Sequence, residues 1–304
     1  MAVTAATLTT DFSGFLNPQQ AAPIFEKAAE MSVVQRLAPR VELGPTGTAI
    51  PIVTGELSAA WVEEAGVKPA SAGALSLVTM SPKKLAVIAI VSAETVRVNP
   101  GGYMGLIRTQ VASAFARAFD AAALHGTNTP FADYLDETTK AAEIGANAAS
   151  AGGVWQDLVG ALDQLVTDDK ELNGWALDSV MEPNLLGAVD SSGRPIFVDT
   201  PLTDTTDAAA RPGRLMGRTS YMSKHVATSD KTTVIGYAGD WTQAAWGAVG
   251  GISYRISTEA AVTINGSLQS LFERNLVAVL AEAEYGWVVN DLASFVRLTN
   301  LTGS

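Results

Sequence analysis

Apolar side chains recur every four residues along NPGGYMGLIRTQVASAFARAFDAAALHGT, Asn99 to Thr127. Ile107, Val111, Phe115 and Phe119 make a slanted stripe with Arg108 and Arg117 off it, which predicts a helix. Asn99 or Gly102 caps its start, and Gly126 suits the position just past its end. About 22 helical residues make a rod about 33 Å long. A second helix follows a loop-like, Ala- and Gly-rich stretch at 127–153 that reads as a domain boundary. Trp155, Leu158, Val159, Leu162, Leu165 and Val166 fit one apolar face of it, which places Trp155 in the core; Asp157, Asp163, Asp168 and Asp169 fall largely elsewhere. Asn17-Pro18 reads as a cap and first turn, opening a helix to about Met31.

Other segments alternate with period two. TAIPIVTG (Thr48–Gly55) and LSLVTMSPKKLAVIAIVSAETV (Leu75–Val96) read as strands. NGWALDSVMEP reads as a strand after a turn at Asn173-Gly174, and Pro183 opens a short helix to Val189. Asp199 to Thr233 shows no period and reads as irregular. TTVIGYAG, GISYRIS and AVTI are strands, with a hairpin-type turn at Asn265-Gly266. NLVAVLAEAEYGWVVN and ASFVRLTN close the chain; Val277, Val279, Ala281 and Ala283 share one face of the former, Glu282 and Glu284 the other.

Between the first two strand segments lies WVEEAGVKPASAG, residues 61–73, too long for a hairpin turn and too polar for a core. Ile50–Val53 and Leu85–Ile90 are placed to pair, with about thirty residues between them, well beyond an ordinary loop. The expectation is a two-stranded arm with a soft tip; about fifteen residues of strand a side would span about 50 Å. An isolated ribbon of that kind is marginal in water and must lie on something. The expected answer is a neighbouring subunit. Trp61, Val62, Glu63, Glu64 and Lys68 at the tip are the expected contact residues, with Phe12 and Phe15 as aromatics on an otherwise polar N-terminal strap.

Composition narrows the chemistry. The 304 residues are 47% hydrophobic and 17% charged, enough for a sizeable core. A net charge of −11 repels polyphosphate and argues against tight nucleic-acid binding. There is no cysteine, so disulfides, thiolate catalysis and Cys-based zinc sites are excluded. The longest apolar run, Leu85 to Ala93, is strand-sized, so no membrane span is expected. The N-terminus lacks the basic start and apolar run of a secretory signal. The two histidines, His125 and His225, are a hundred positions apart; His125 sits at a helix end, where the dipole favours a cation. No phosphate loop, metalloprotease or nucleophile-elbow motif occurs. Neighbouring carboxylates such as Glu63-Glu64 and Asp168-Asp169 point apart and make poor acid–base pairs. No catalytic residue, cofactor or metal is therefore expected. Arg211, Arg214, Arg218, Lys224 and Lys231 stand against Asp230 alone. This basic segment meets either an acidic partner or enclosed nucleic acid, or acidic loops of the same or a neighbouring chain.

The motifs, taken in order, resemble one family. The long arm is similar to an extended loop, and the 99–126 helix ending in LHGT to a spine helix. DSSGRPIF (Asp190–Phe197), LMGRTSYM, AGDW (Ala238–Trp241) and FERNLVAVLAEAEYGWVVNDLASFVRL follow in the order and spacing of tailed-bacteriophage major capsid proteins with the HK97 fold, over roughly residues 18 to 300. Arg218 stands where a proline is common in that family. The resemblance implies an α+β subunit and no enzyme. It divides the chain into an N-terminal arm with a short helix (1–47), the extended loop and its base (48–96), and a peripheral domain with the spine helix (97–153). An axial domain (154–260) and a return to the peripheral domain (261–304) complete it. It implies hexamers and pentamers in an icosahedral head, assembled in the host bacterial cytoplasm. The shell would enclose double-stranded DNA without reading its sequence. Scaffolding, portal and decoration proteins are implied partners; a membrane is not. Two alternatives stay open: an encapsulin-like compartment around a cargo enzyme, and an acidic α+β enzyme using residues 54–84 as a lid.

Overall fold

The computed structural model describes residues 32–53, 59, 61–63, 68, 75–94, 100–188, 211–228, 233–264 and 266–300. The expected helix at 18–31 lies outside them. The first elements are α1 (Val33–Leu37), β1 (Arg40–Glu42), β2 (Thr48–Val53), β3 (Leu75–Met80), β4 (Lys83–Ser92) and α2 (Pro100–His125). Next come β5 (Ala141–Ile144), α3 (Gly153–Val166), β6 (Gly174–Asp178), α4 (Glu182–Leu186), β7 (Arg211–Leu215), β8 (Arg218–Ser223) and β9 (Val234–Gly239). The chain closes with β10 (Ala244–Ser257), β11 (Ala261–Ile264), β12 (Ser267–Ser270), β13 (Leu276–Val289) and β14 (Phe295–Asn300).

Two large sheets organise these elements. One has the order β1-β10-β13-β4, the other β5-β14-β9-β6-β8-β7. The stripe read from the sequence holds α2 on the first sheet. Ile107, Val111, Phe115 and Phe119 are buried in one cluster with Val279, Ala281, Ala283 and Tyr285. Phe119 sits among the rings of Trp246, Tyr285 and Trp287, with centroids 5.3–6.3 Å away. Past the helix end, Gly126 takes φ +66°, and a Cβ there would meet the Tyr134 ring at 2.7 Å. Helix α3 covers the second sheet, where Leu158, Ala161 and Leu165 pack with Ala142, Ile144, Val296 and Leu298.

Several expectations change. The face of α3 is narrower than its periodicity suggested: Trp155 is only half-buried and Val166 is exposed. Asp157, expected off the face, is buried and accepts from Gly145 N (2.7 Å) and from Asn147 N and Nδ2 (3.1 and 2.7 Å). Three donors compensate the carboxylate for lost water. The stretch read as irregular holds the β7–β8 hairpin, whose turn residues Met216 and Gly217 take φ +52° and +77°. Positive φ at both turn positions matches strand twist, but Met gives no sequence signal for it. The closing segment divides: β13 lies in the four-stranded sheet and β14 in the six-stranded one.

The ribbon also pairs differently. β2 pairs with β3, Thr48↔Met80 through Val53↔Leu75, and not with Leu85–Ile90. Pro82, which has no N–H to give a ladder, separates β3 from β4. β4 is taken up by β13 instead, from Leu276↔Ser92 to Tyr285↔Lys83. At the ribbon base, Met80 and Leu43 lie over the facing pair Gly247 and Gly286. A Cβ at Gly286 would stand 2.6 Å from Met80 Cγ and 2.8 Å from Leu43 Cδ2. Gly286→Ala is expected to cost about 1–3 kcal/mol by overpacking, read as a lower thermal midpoint.

Candidate intersubunit surface

The inner face of the β2–β3 ribbon has a home. Ile50 and Val78 pack against the cluster of Leu43, Met80, Ala245 and Val288. The outer face does not: Leu77 is 69% exposed, and Pro51, its register partner, is exposed as well. Beyond the ladder, Trp61 is fully exposed at 104%, with Val62 and Glu63 exposed beside it and Lys68 exposed further on. No hydrogen bond or ion pair joins these four to other described residues. Glu64, Phe12 and Phe15 lie outside the described residues.

A second uncovered surface was not singled out in the sequence. Among the described residues the β11–β12 hairpin pairs only with itself, and it leads into a turn over 271–275. Leu268 is 74% and Phe272 77% exposed. The signal available was the pair Leu271-Phe272 in a polar turn, of which one residue points in and the other out: Leu271 is fully buried.

The N-terminal entry to the fold is tied to α2. Ser32 caps α1 by accepting from Gln35 N at 3.0 Å, and its hydroxyl donates to Asp120 Oδ1 at 2.5 Å. Asp120 also accepts from Val33 N at 3.0 Å and Val34 N at 3.4 Å. One buried carboxylate thus takes up free N–H groups at the start of another helix. Burial pushes its carboxyl up to about 7, against the downward pull of those three donors.

The remaining titratable groups serve the fold. His125 Nε2 donates to Val226 O at 2.8 Å, and its Nδ1 lies 2.9 Å from the Tyr237 hydroxyl, fastening the end of α2 to β9. Burial pushes the Tyr237 phenol well above its ordinary range. The basic segment is partly spent inside the chain. Arg211 donates to both Glu182 oxygens at 2.9 and 2.5 Å, which holds the Glu182 carboxyl below its usual range. Arg218 donates to Leu172 O at 2.7 Å and Met216 O at 3.2 Å. Because the Arg211–Glu182 pair is more than a third exposed, Glu182→Gln is expected to cost no more than about 1 kcal/mol in a urea melt. Among the described residues no group of three or more His, Cys, Asp or Glu could hold a metal ion. No helix of the described residues is long and apolar enough to cross a membrane.

A long helix on one four-stranded sheet, a second sheet with its own helix, and a two-stranded ribbon with an exposed apolar outer face together define an HK97-like capsid subunit. The fold matches a chain from Mycobacterium phage Bobi at TM-score 0.70 and 19% identity, over 90% of this chain and 91% of that one. It matches a chain from Gordonia phage Cozz at 0.67 and 23% identity, over 90% and 87%. The "Capsid of empty GTA particle computed with C5 symmetry" matches at 0.61 and 17% identity, over 90% of each chain. In sequence, the chain belongs to the phage capsid family, whose model matches residues 13–300. It is 40% identical to the "Probable major capsid protein gp17" of Mycobacterium phage D29 over 301 residues, 98% of this chain and 93% of that protein. It is 41% identical to the protein of the same title from Mycobacterium phage L5 over 308 residues. The relatives are structural proteins of the virion, so the family displaces the reading of residues 54–84 as the lid of an enzyme.

Proposed function

We propose that this chain is the major capsid protein of a phage head, forming pentamers and hexamers that tile an icosahedral shell around double-stranded DNA. Near full-length identity to two mycobacteriophage major capsid proteins carries the reading. The structural neighbour whose title gives C5 symmetry supports the five-fold part of it. We assign the four-stranded sheet with α2 to the peripheral domain and the six-stranded sheet with α3 to the axial domain around the ring axes; β10, inside the expected axial division 154–260, thereby joins the peripheral domain, and β5 and β14, inside the expected peripheral divisions 97–153 and 261–304, join the axial one. Trp61, Val62, Glu63, Glu64 and Lys68 on the ribbon, and Phe12 and Phe15 on the N-terminal strap, contact neighbouring copies. Each contact is modest, but many simultaneous ones hold a subunit, because a loosened ribbon rebinds before the rest lets go. The net charge of −11 suits a wall that must not adhere to its contents. Assembly takes place in the host cytoplasm with scaffolding and portal proteins, and decoration proteins add to the finished shell.

The test is negative-stain imaging of particles carrying the protein, with analysis of their contents. Closed shells holding nuclease-protected DNA are expected. Shells filled with a cargo protein would turn the reading to an encapsulin-like compartment, and absence of shells would overturn it.

A further inference from the structure

The basic segment noted in the sequence divides in the fold. Arg211 and Arg218 are taken up by Glu182 and by backbone carbonyls. Arg214 and Lys224 are exposed, with no hydrogen bond or ion pair to other described residues. Register places Arg214 near the ring of Tyr221. Pro212 pairs with Tyr221 and Arg214 with Thr219, so Arg214 shares the Tyr221 face of the β7–β8 hairpin, about 7–8 Å away on the diagonal. Lys224 is three positions past Tyr221, about 10 Å of strand. It lies two positions short of Val226, whose carbonyl accepts from His125 at the end of α2. From α1, the exposed guanidinium of Arg36 stands 5.9 Å from the centre of the Tyr221 ring. Three exposed cations, from positions far apart in the chain, thus stand around one ring.

The patch has one sign. Residues 32–41 and 211–228 hold six Arg and Lys and no Asp or Glu. In α2 the one carboxylate, Asp120, is buried and taken up by α1, while Arg117 is exposed. The opposite face of the six-stranded sheet is acidic. Ala176, Tyr221 and Tyr237 point to the side of α1 and α2, whereas Leu177, Met222 and Ala238 point to α3. Residues 153–173, which are α3 and the turn after it, carry five carboxylates against Lys170. The subunit is therefore positive on one side and negative on the other, although the whole chain carries −11.

This pattern selects the partner. A protein interface needs an apolar centre. Among the described residues, none of the large exposed hydrophobics falls in 32–41, in α2 or in 211–228. A DNA duplex presents phosphates, one charge per about 1.7 Å of its axis, and takes up cations without an apolar core.

We propose that this face, with Arg36, Arg214 and Lys224 around Tyr221, lies inward in the shell and meets the phosphate backbone of the enclosed duplex. This rests on the shell reading above and gives the basic segment its partner. The hold is loose, because so few cations a copy make contacts that salt screens readily. Many copies position the duplex and none reads its sequence.

Lysine acetylation of whole particles, read by mass spectrometry, is the test. Particles filled with DNA are compared with particles emptied by mild heat and nuclease. Lys224 is expected to acetylate roughly fivefold more slowly in the filled particles, where a phosphate field of a few kT occupies its amine. Lys170, on the acidic side, and Lys83, at the ribbon base, are expected to react alike in both. Arg36→Lys and Arg214→Lys keep the charge and place an amine at the other two positions, where the same protection is expected. Equal reactivity of Lys224 in filled and emptied particles would overturn the proposal. Equal inertness would do so too, since protein would then cover the patch, and protection of Lys170 instead would turn the acidic side to the DNA. If the arginine variants fail to assemble, Lys224 of the wild type still decides. Wild-type particles that hold no DNA would be the separate failure of the shell reading.

Discussion

Deleting residues 58–73 leaves a folded subunit that no longer assembles. The removed residues lie beyond the β2–β3 ladder, and those of them that are described, 59, 61–63 and 68, belong to neither main cluster, under α2 or under α3. Secondary structure and a cooperative melt should therefore survive. Assembly should fall below detection in sedimentation at concentrations where the wild type forms particles. The effect is large because the ribbon's contribution repeats in every subunit, so a small loss per contact multiplies across a closed ring. Intact particles from the deletion variant would mean that the ribbon tip plays no part in the shell.

Asp120 gives the second large effect, and the assembly-blocked variant is the background in which to measure it. Asp120→Ala strands the Ser32 hydroxyl and the Val33 and Val34 N–H groups in the core, at an expected cost of about 3 kcal/mol. The wild-type residue also links stability to pH. Its carboxyl titrates at about 7 in the folded chain, against the ordinary aspartate value of 3.8. Between those values the folded state holds a proton that the unfolded state has released. This contribution to stability is fully present below about pH 4, shrinks as pH rises, and is gone above about pH 7. The gap corresponds to about 4 kcal/mol. Urea melts should show Asp120→Asn gaining on the wild type by up to that amount between pH 4.5 and pH 8. A constant difference across that range would mean that the carboxyl stays ionised in the fold.

What the sequence shows of this molecule follows from where side-chain pattern alone decides structure. The stripe Ile107, Val111, Phe115, Phe119 repeats with the helix period, and the structure buries all four residues. The alternation from Val277 to Ala283 is equally plain in β13. The pairing of β2 was not legible, because two strand-forming segments followed it and only Pro82 and the demand of β13 for an edge partner separate them. The socket made by Gly247 and Gly286 carries no pattern; its sense comes from Met80, some two hundred positions away. Of the two buried carboxylates, Asp157 read as lying off the apolar face of α3 and nothing in the pattern marked Asp120, until the N–H groups they serve come into view. At the candidate interface, the exposed tip around Trp61 was legible as a long polar insertion between strands, whereas Phe272 lay hidden in what read as the lead-in to a strand.

The most direct measurement is a cryo-electron microscopy map of the assembled particle, at a resolution that traces residues 54–74. The account requires this segment to run over a second copy, with Trp61 and Leu77 covered by the neighbour. A map in which the segment packs wholly on its own chain, both side chains still facing solvent, would contradict it.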